Sequence, residues 1–77
     1  MGKKVYKYDK ILCRKFGKKI QLRRLELDMT QEELAFSANI SPSYMSAIER
    51  GITDTTISTA KRLAKALKIN LADMFNL

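Results

Sequence analysis

The sequence predicts a small all-α domain of five short helices around one core. Apolar residues recur at three- to four-residue steps, or multiples of them, in successive segments, which is the period of one helix face, and no segment alternates as a strand would. Cap signals punctuate those segments at intervals too short for long helices. At 77 residues the chain is one domain, of a size that buries only about 60% of its unfolded surface, so its core is compact.

The first helix runs from about Ile11 to Leu27, with Leu12, Phe16, Ile20 and Leu27 on one face and Lys15, Lys18, Lys19, Arg23 and Arg24 among the rest, so its solvent side is basic. Arg23 belongs to the surface. Leu22 and Leu25 lie off the main stripe and are either a second core contact or part of a subunit interface. Ahead of this helix, residues 1–10 carry Lys3, Lys4, Lys7 and Lys10 with Tyr6 and Tyr8 between them and read as a mobile basic arm.

Thr30 with Glu33 three residues on fits a capping box, so the second helix starts there. It turns Leu34, Ala35 and Ala38 inward and stops near Asn39, a residue that tolerates left-handed backbone. Ser41-Pro42 reads as an N-cap with proline at the first helical position, opening a third helix that runs to Arg50 and ends at Gly51. Thr55 or Thr56 caps the fourth helix, whose stripe is Ile57, Ala60, Leu63, Ala64 and Leu67, with Lys61, Arg62, Lys65 and Lys68 facing water. Asn70 and Asp73 open a short fifth helix with Leu71, Met74 and Phe75.

Fifteen Lys+Arg against eight Asp+Glu give a net charge of +7, and ten of the cations fall in the first 24 residues. That asymmetry points to an anionic partner. With 45% hydrophobic residues, one Pro and three Gly, the chain folds rather than serving as a disordered tail. Cys13 is the single cysteine and there is no histidine, so an intramolecular disulfide and the common zinc sites are excluded and a reducing cytoplasm fits. Cys13 itself is either a small core or interface residue or a redox sensor. No apolar stretch approaches the roughly 18 residues that span a bilayer, the N-terminus lacks a signal-peptide core, and Tyr6 breaks the myristoylation pattern, so no membrane partner is expected. No nucleophile–base set is available, which excludes an enzyme, and neither a cofactor nor a small-molecule ligand is evident.

The informative segment is Gln31 to Arg50, reading QEELAFSANISPSYMSAIER. Two short helices joined by a three- or four-residue turn pack closely at a steep angle, which fixes residue types at set places. Small Ala35 lets the partner helix approach, Asn39 makes the turn, and Leu34, Ala38, Ile40, Met45 and Ile48 form the shared core. Agreement at seven positions, with caps on both helices, identifies a helix-turn-helix over an ordinary helix pair in a bundle.

Phe16-Gly17, Ile20, Arg24, TQEELA at 30–35, SYMSAIERG at 43–51 and LAKAL at 63–67 resemble the phage repressor/Cro (XRE) family of helix-turn-helix DNA-binding proteins. The resemblance covers roughly residues 11 to 75. Short length and the ending Leu71-Ala72-Asp73-Met74-Phe75 are most similar to controller proteins of restriction–modification systems. The resemblance implies a compact, lambda-repressor-like five-helix domain whose third helix lies in the major groove of double-stranded DNA. Two subunits of a homodimer would then read the half-sites of a palindromic operator. A stand-alone phage or plasmid repressor and an antitoxin-like protein-interaction module are the other readings.

With Met45 and Ile48 buried, Pro42, Ser43, Ser46, Ala47 and Arg50 point outward, and Tyr44 sits at the margin. Ser43 and Ser46 suit hydrogen bonding to base edges, and Pro42 and Ala47 suit a thymine methyl group. Tyr44 suits a base or a phosphate. The family often has long Arg or Gln side chains at Ser43 and Ala47, and basic residues at Ile52 and Thr53. Readout here therefore leans on DNA shape and deformability. The family match places Gln31 against the DNA backbone, at a helix N-terminus that favours anions. Arg50 either contacts phosphate with Thr53 or stabilises its own helix end, and Lys19 completes the phosphate set. Arg24 and Glu49 match a structural ion pair of the family. The run Leu67, Ile69, Leu71, Met74, Phe75, Leu77 forms either a dimer interface, centred on Leu71, Met74, Phe75 and Leu77, or a cap on the monomer core. The basic arm either follows the adjacent phosphates or minor groove, or is a solvated tail.

Overall fold

The computed structural model describes residues 9–77, and the basic-arm expectation for Lys3, Lys4 and Lys7 lies outside them. Five helices follow in order: α1 (Lys10–Glu26), α2 (Gln31–Ser37), α3 (Pro42–Arg50), α4 (Ile57–Ala66) and α5 (Leu71–Met74). No strand occurs among the described residues. The first helix begins earlier than its apolar stripe suggested. Asp9 accepts a hydrogen bond from the Leu12 amide at 3.0 Å, and this N-cap draws Lys10 into the helix.

The remaining starts follow the same chemistry. Thr30 and Glu33 form the reciprocal capping box, with Thr30 N–H donating to Glu33 Oε1 at 2.8 Å and Glu33 N–H to Thr30 Oγ1 at 3.0 Å. Ser41 caps α3 with Pro42 in its first turn, Thr56 rather than Thr55 caps α4, and Asn70 caps α5.

Four of the five stops share one device. Asp28, Asn39, Gly51 and Lys68 all take left-handed backbone, with φ of 55°, 56°, 71° and 54°. Their amides donate back to Leu25, Phe36, Ile48 and Lys65. The next amides, of Met29, Ile40, Ile52 and Ile69, reach the carbonyls of Arg24, Ala35, Ala47 and Ala64. Each pair is the double bond of a Schellman motif, which satisfies the orphan carbonyls of a helix end. Met29, Ile40 and Ile69 also pack against the core, so three of the four turns are held by apolar contact as well.

One core serves the domain: Phe16 and Ile20 of α1, Leu34, Ala35 and Ala38, Met45 and Ile48 of α3, Ala60, Leu63, Ala64 and Leu67, and Met74 of α5. Helix α1 packs on α3 and α5, and α2 packs on α3 and α4. Two glycines set the distance between α1 and α3. A Cβ on Gly17 would collide with the Ile48 carbonyl oxygen and lie 2.6 Å from that of Glu49. A Cβ on Gly51 would lie 2.6 Å from Arg14 Cα. The last turn of α3 therefore rests directly on the backbone of α1.

Four expectations are corrected here. Ile57 is 87% exposed, because the packed surface of α4 begins further on, at Thr59 and Ala60. Leu22 and Leu25 are both half-exposed, so neither supplies a second core contact in the monomer. Arg62 does not simply face water: its Nε donates to the Ala38 carbonyl at 2.8 Å and its Nη2 to Thr59 Oγ1 at 3.3 Å. Arg23 does the same for α4, donating from Nε to the Leu67 carbonyl at 2.9 Å and from Nη2 to that of Lys68 at 3.2 Å. Each guanidinium caps the end of a helix other than its own, where carbonyls and the helix dipole favour a cation.

Candidate nucleic-acid interface

Helix α3 is two-sided because its apolar residues recur at helical spacing. Met45, Ile48 and Glu49 are buried, Pro42, Ser43 and Arg50 are exposed, and Tyr44, Ser46 and Ala47 are partly exposed. The outward face is small and carries no charge until Arg50, a shape that allows close approach of a base edge or a backbone. Among the described residues no helix is long and apolar enough to cross a membrane.

Beneath that face lies a buried polar cluster. Arg24 on α1 holds Glu49 through two bonds, Nε to Oε2 at 2.7 Å and Nη2 to Oε1 at 3.0 Å, and its Nη1 donates to the Met29 carbonyl at 2.7 Å. The bond to Glu49 and the charge behind it hold the guanidinium above its ordinary pKa, against the opposing effect of burial. Gln31 joins the cluster by donating from Nε2 to Glu49 Oε1 at 2.9 Å. Its carboxamide is thus anchored under α3, with one hydrogen of the NH₂ group directed to Glu49.

The segment after α3 is anchored too. Tyr44 donates its hydroxyl to the Asp54 carbonyl at 3.2 Å, and the Cys13 thiol donates to Asp54 Oδ1 at 3.4 Å. Asp54 therefore links α3, the loop and α1, a role with no signal in the sequence. Burial first, then this bond and the charges of Asp54 and Asp9, push the Cys13 thiol above its ordinary pKa. Arg50 bends back to the Ser46 carbonyl at 3.4 Å.

Two sequence assignments move elsewhere. Lys19 lies on the α5 side, donating from Nζ to the Asn76 carbonyl at 3.4 Å. It is two residues past Gly17, about 200° round the helix, so it cannot share the face that meets α3. Met74 has no exposed surface and belongs to the core, which removes it from any interface. Leu71, Phe75 and Leu77 remain 39%, 53% and 38% exposed, and Phe75 stacks on Phe16 with ring centroids 5.4 Å apart.

A small, uncharged helix face presented by a braced helix pair defines a class, and comparison supports it. The chain belongs to the HTH_3 helix-turn-helix family, whose model matches residues 20–74. Among individual proteins it is similar to the control protein C.BamHI of Bacillus amyloliquefaciens, 34% identical over 62 residues that cover 79% of this chain and 76% of that one. The restriction–modification controller protein C.AhdI of Aeromonas hydrophila has the same fold, with a TM-score of 0.78 at 31% identity over 80% of this chain and 94% of that one. So does the controller protein C.Esp1396I, solved as a tetramer in complex with its natural 35 base-pair operator, with a TM-score of 0.78 at 34% identity over 87% and 88%. The resemblance to restriction–modification controller proteins drawn from the sequence is borne out.

Proposed function

We propose that this chain is a sequence-specific, cytoplasmic DNA-binding transcriptional regulator that acts as a homodimer on a palindromic operator, in the manner of a restriction–modification controller. The observation that carries it is the outward face of α3, held from below by the Arg24–Glu49–Gln31 cluster in a chain of net charge +7. Pro42, Ser43, Tyr44, Ser46 and Ala47 read the major groove, and Gln31, Arg50 and Thr53 contact phosphates. Tyr44 is tied to Asp54 and so orients the following loop as well as the groove contact. The operator complex of the similar C.Esp1396I supports a DNA target for the same fold.

Exposed Leu71, Phe75 and Leu77 form the dimer contact, extended by half-exposed Leu12, which lines one groove with Phe75 and Leu77. Sedimentation of Phe75→Glu as a monomer, against a wild-type dimer, tests that contact.

Selection of bound duplexes from random DNA tests the regulator reading. Two symmetric half-sites, preferred at least about a thousandfold over scrambled DNA near physiological salt, are expected. A steep salt slope without an enriched motif would make the charge non-specific and the helix pair a protein-interaction module.

A further inference from the structure

The stripe of α1 that runs along α3 carries cations at its N-terminal end. Lys10, Arg14, Gly17, Gln21 and Arg24 recur at steps of four and three and so share one side of the helix. Three of them locate that side. Arg24 grips Glu49, Gly17 touches the Ile48 and Glu49 carbonyls, and the Arg14 backbone and Cγ rest against Gly51. Arg14 thus stands against Gly51, where α3 ends.

The turn there is short of charge, having Ile52 and Thr53 beyond Gly51. Lys10 and Arg14 are exposed. Among the described residues no carboxylate pairs with either: Asp9 caps the Leu12 amide and Asp54 receives the Cys13 thiol.

We propose that Arg14 is a DNA phosphate-binding residue at the C-terminal end of the recognition helix, with Lys10 beside it, so that α1 supplies the charge the turn lacks. The inference rests on the regulator reading. Its occupant is the sugar–phosphate backbone flanking the groove that α3 enters, since a guanidinium pairs bidentately with phosphate oxygens and is indifferent to base identity.

Affinities of the wild type, Arg14→Ala and Arg14→Lys for the selected operator and for scrambled duplex, over a salt series, test it. Phosphate-ethylation interference on the operator adds the contact map. Arg14→Ala is expected to weaken both duplexes by a similar factor, to lower the salt slope by about one, and to lose one interference position per half-site. Arg14→Lys should keep the slope and most of the affinity. An Arg14→Ala protein with wild-type slope and interference pattern overturns the proposal while leaving the regulator reading intact. If the wild type shows a salt slope on scrambled DNA but selects no operator, the regulator reading falls, and the Arg14 slope on that DNA alone decides. A wild type that binds no duplex overturns both.

Discussion

Glu49, on the third helix, is clamped by Arg24 of the first helix through two parallel hydrogen bonds of 2.7 and 3.0 Å, and only 2% of its side-chain surface is exposed. A buried charge pair of this kind contributes little over an apolar substitute, but breaking it strands the surviving charge. Glu49→Ala leaves Arg24, 8% exposed, and the Gln31 carboxamide without their acceptor. The expected cost is about 3–5 kcal/mol, read from urea unfolding. DNA affinity should fall as well, even where the variant is folded, because α3 loses its tie to α1. A variant that melts like the wild type would refute the pairing.

Gly17→Ala places a methyl group on the Ile48 and Glu49 carbonyl oxygens. Backbone atoms cannot rotate away as a side-chain end can, so α3 has to shift from α1. Overpacking of this kind costs typically about 1–3 kcal/mol. Denaturant midpoints of the two proteins check it, and an unchanged midpoint would show that the helices are not in contact there.

Lys68→Gly should do the opposite. Lys68 holds φ of 54° between α4 and α5, where a side chain costs about 1–2 kcal/mol. Relief of that strain exceeds the extra unfolded-state freedom of glycine, about 0.5–1 kcal/mol. A net gain of about 0.5–1 kcal/mol is expected. The Arg23 bond is kept because it goes to the backbone carbonyl of Lys68. Calorimetry showing a lower Tm would contradict this.

Cys13 is expected to react slowly with iodoacetamide near pH 8.5, the ordinary thiol pKa, because burial and the Asp54 carboxylate disfavour its thiolate. A pKa raised in the folded state adds stability below the unfolded value, and that contribution is lost as pH rises through the folded one. The native chain should therefore lag the urea-unfolded chain in alkylation, with the gap closing at higher pH. Asp54→Ala should speed the native reaction; mass spectrometry over time reads both rates.

Five helices, four of their five N-caps, the left-handed turns at Asn39 and Gly51 and the two-sided α3 were legible in the sequence. Each is a local matter: a hydroxyl or carboxamide three residues from an amide, an apolar residue every third or fourth place, a residue that tolerates positive φ. The turn at Lys68 was not legible, because lysine does not announce left-handed backbone; aspartate tolerates it, but Asp28 lies in a segment with no other stop signal, and Met29 and Ile69, the residues that follow the two turns, pack against the core. Which long side chains reach out and which reach back was decided only by tertiary structure. Arg23 and Arg62 read as surface cations, yet each ends on another helix's carbonyls. Lys19 read as a DNA contact, yet it lies beside Asn76. Met74 read as interface and is core, while Ile57 read as core and is bare. Periodicity fixes a residue's angle about its own helix, but what stands at that angle depends on how the helices pack, as where glycines at 17 and 51 let α1 and α3 touch backbone to backbone.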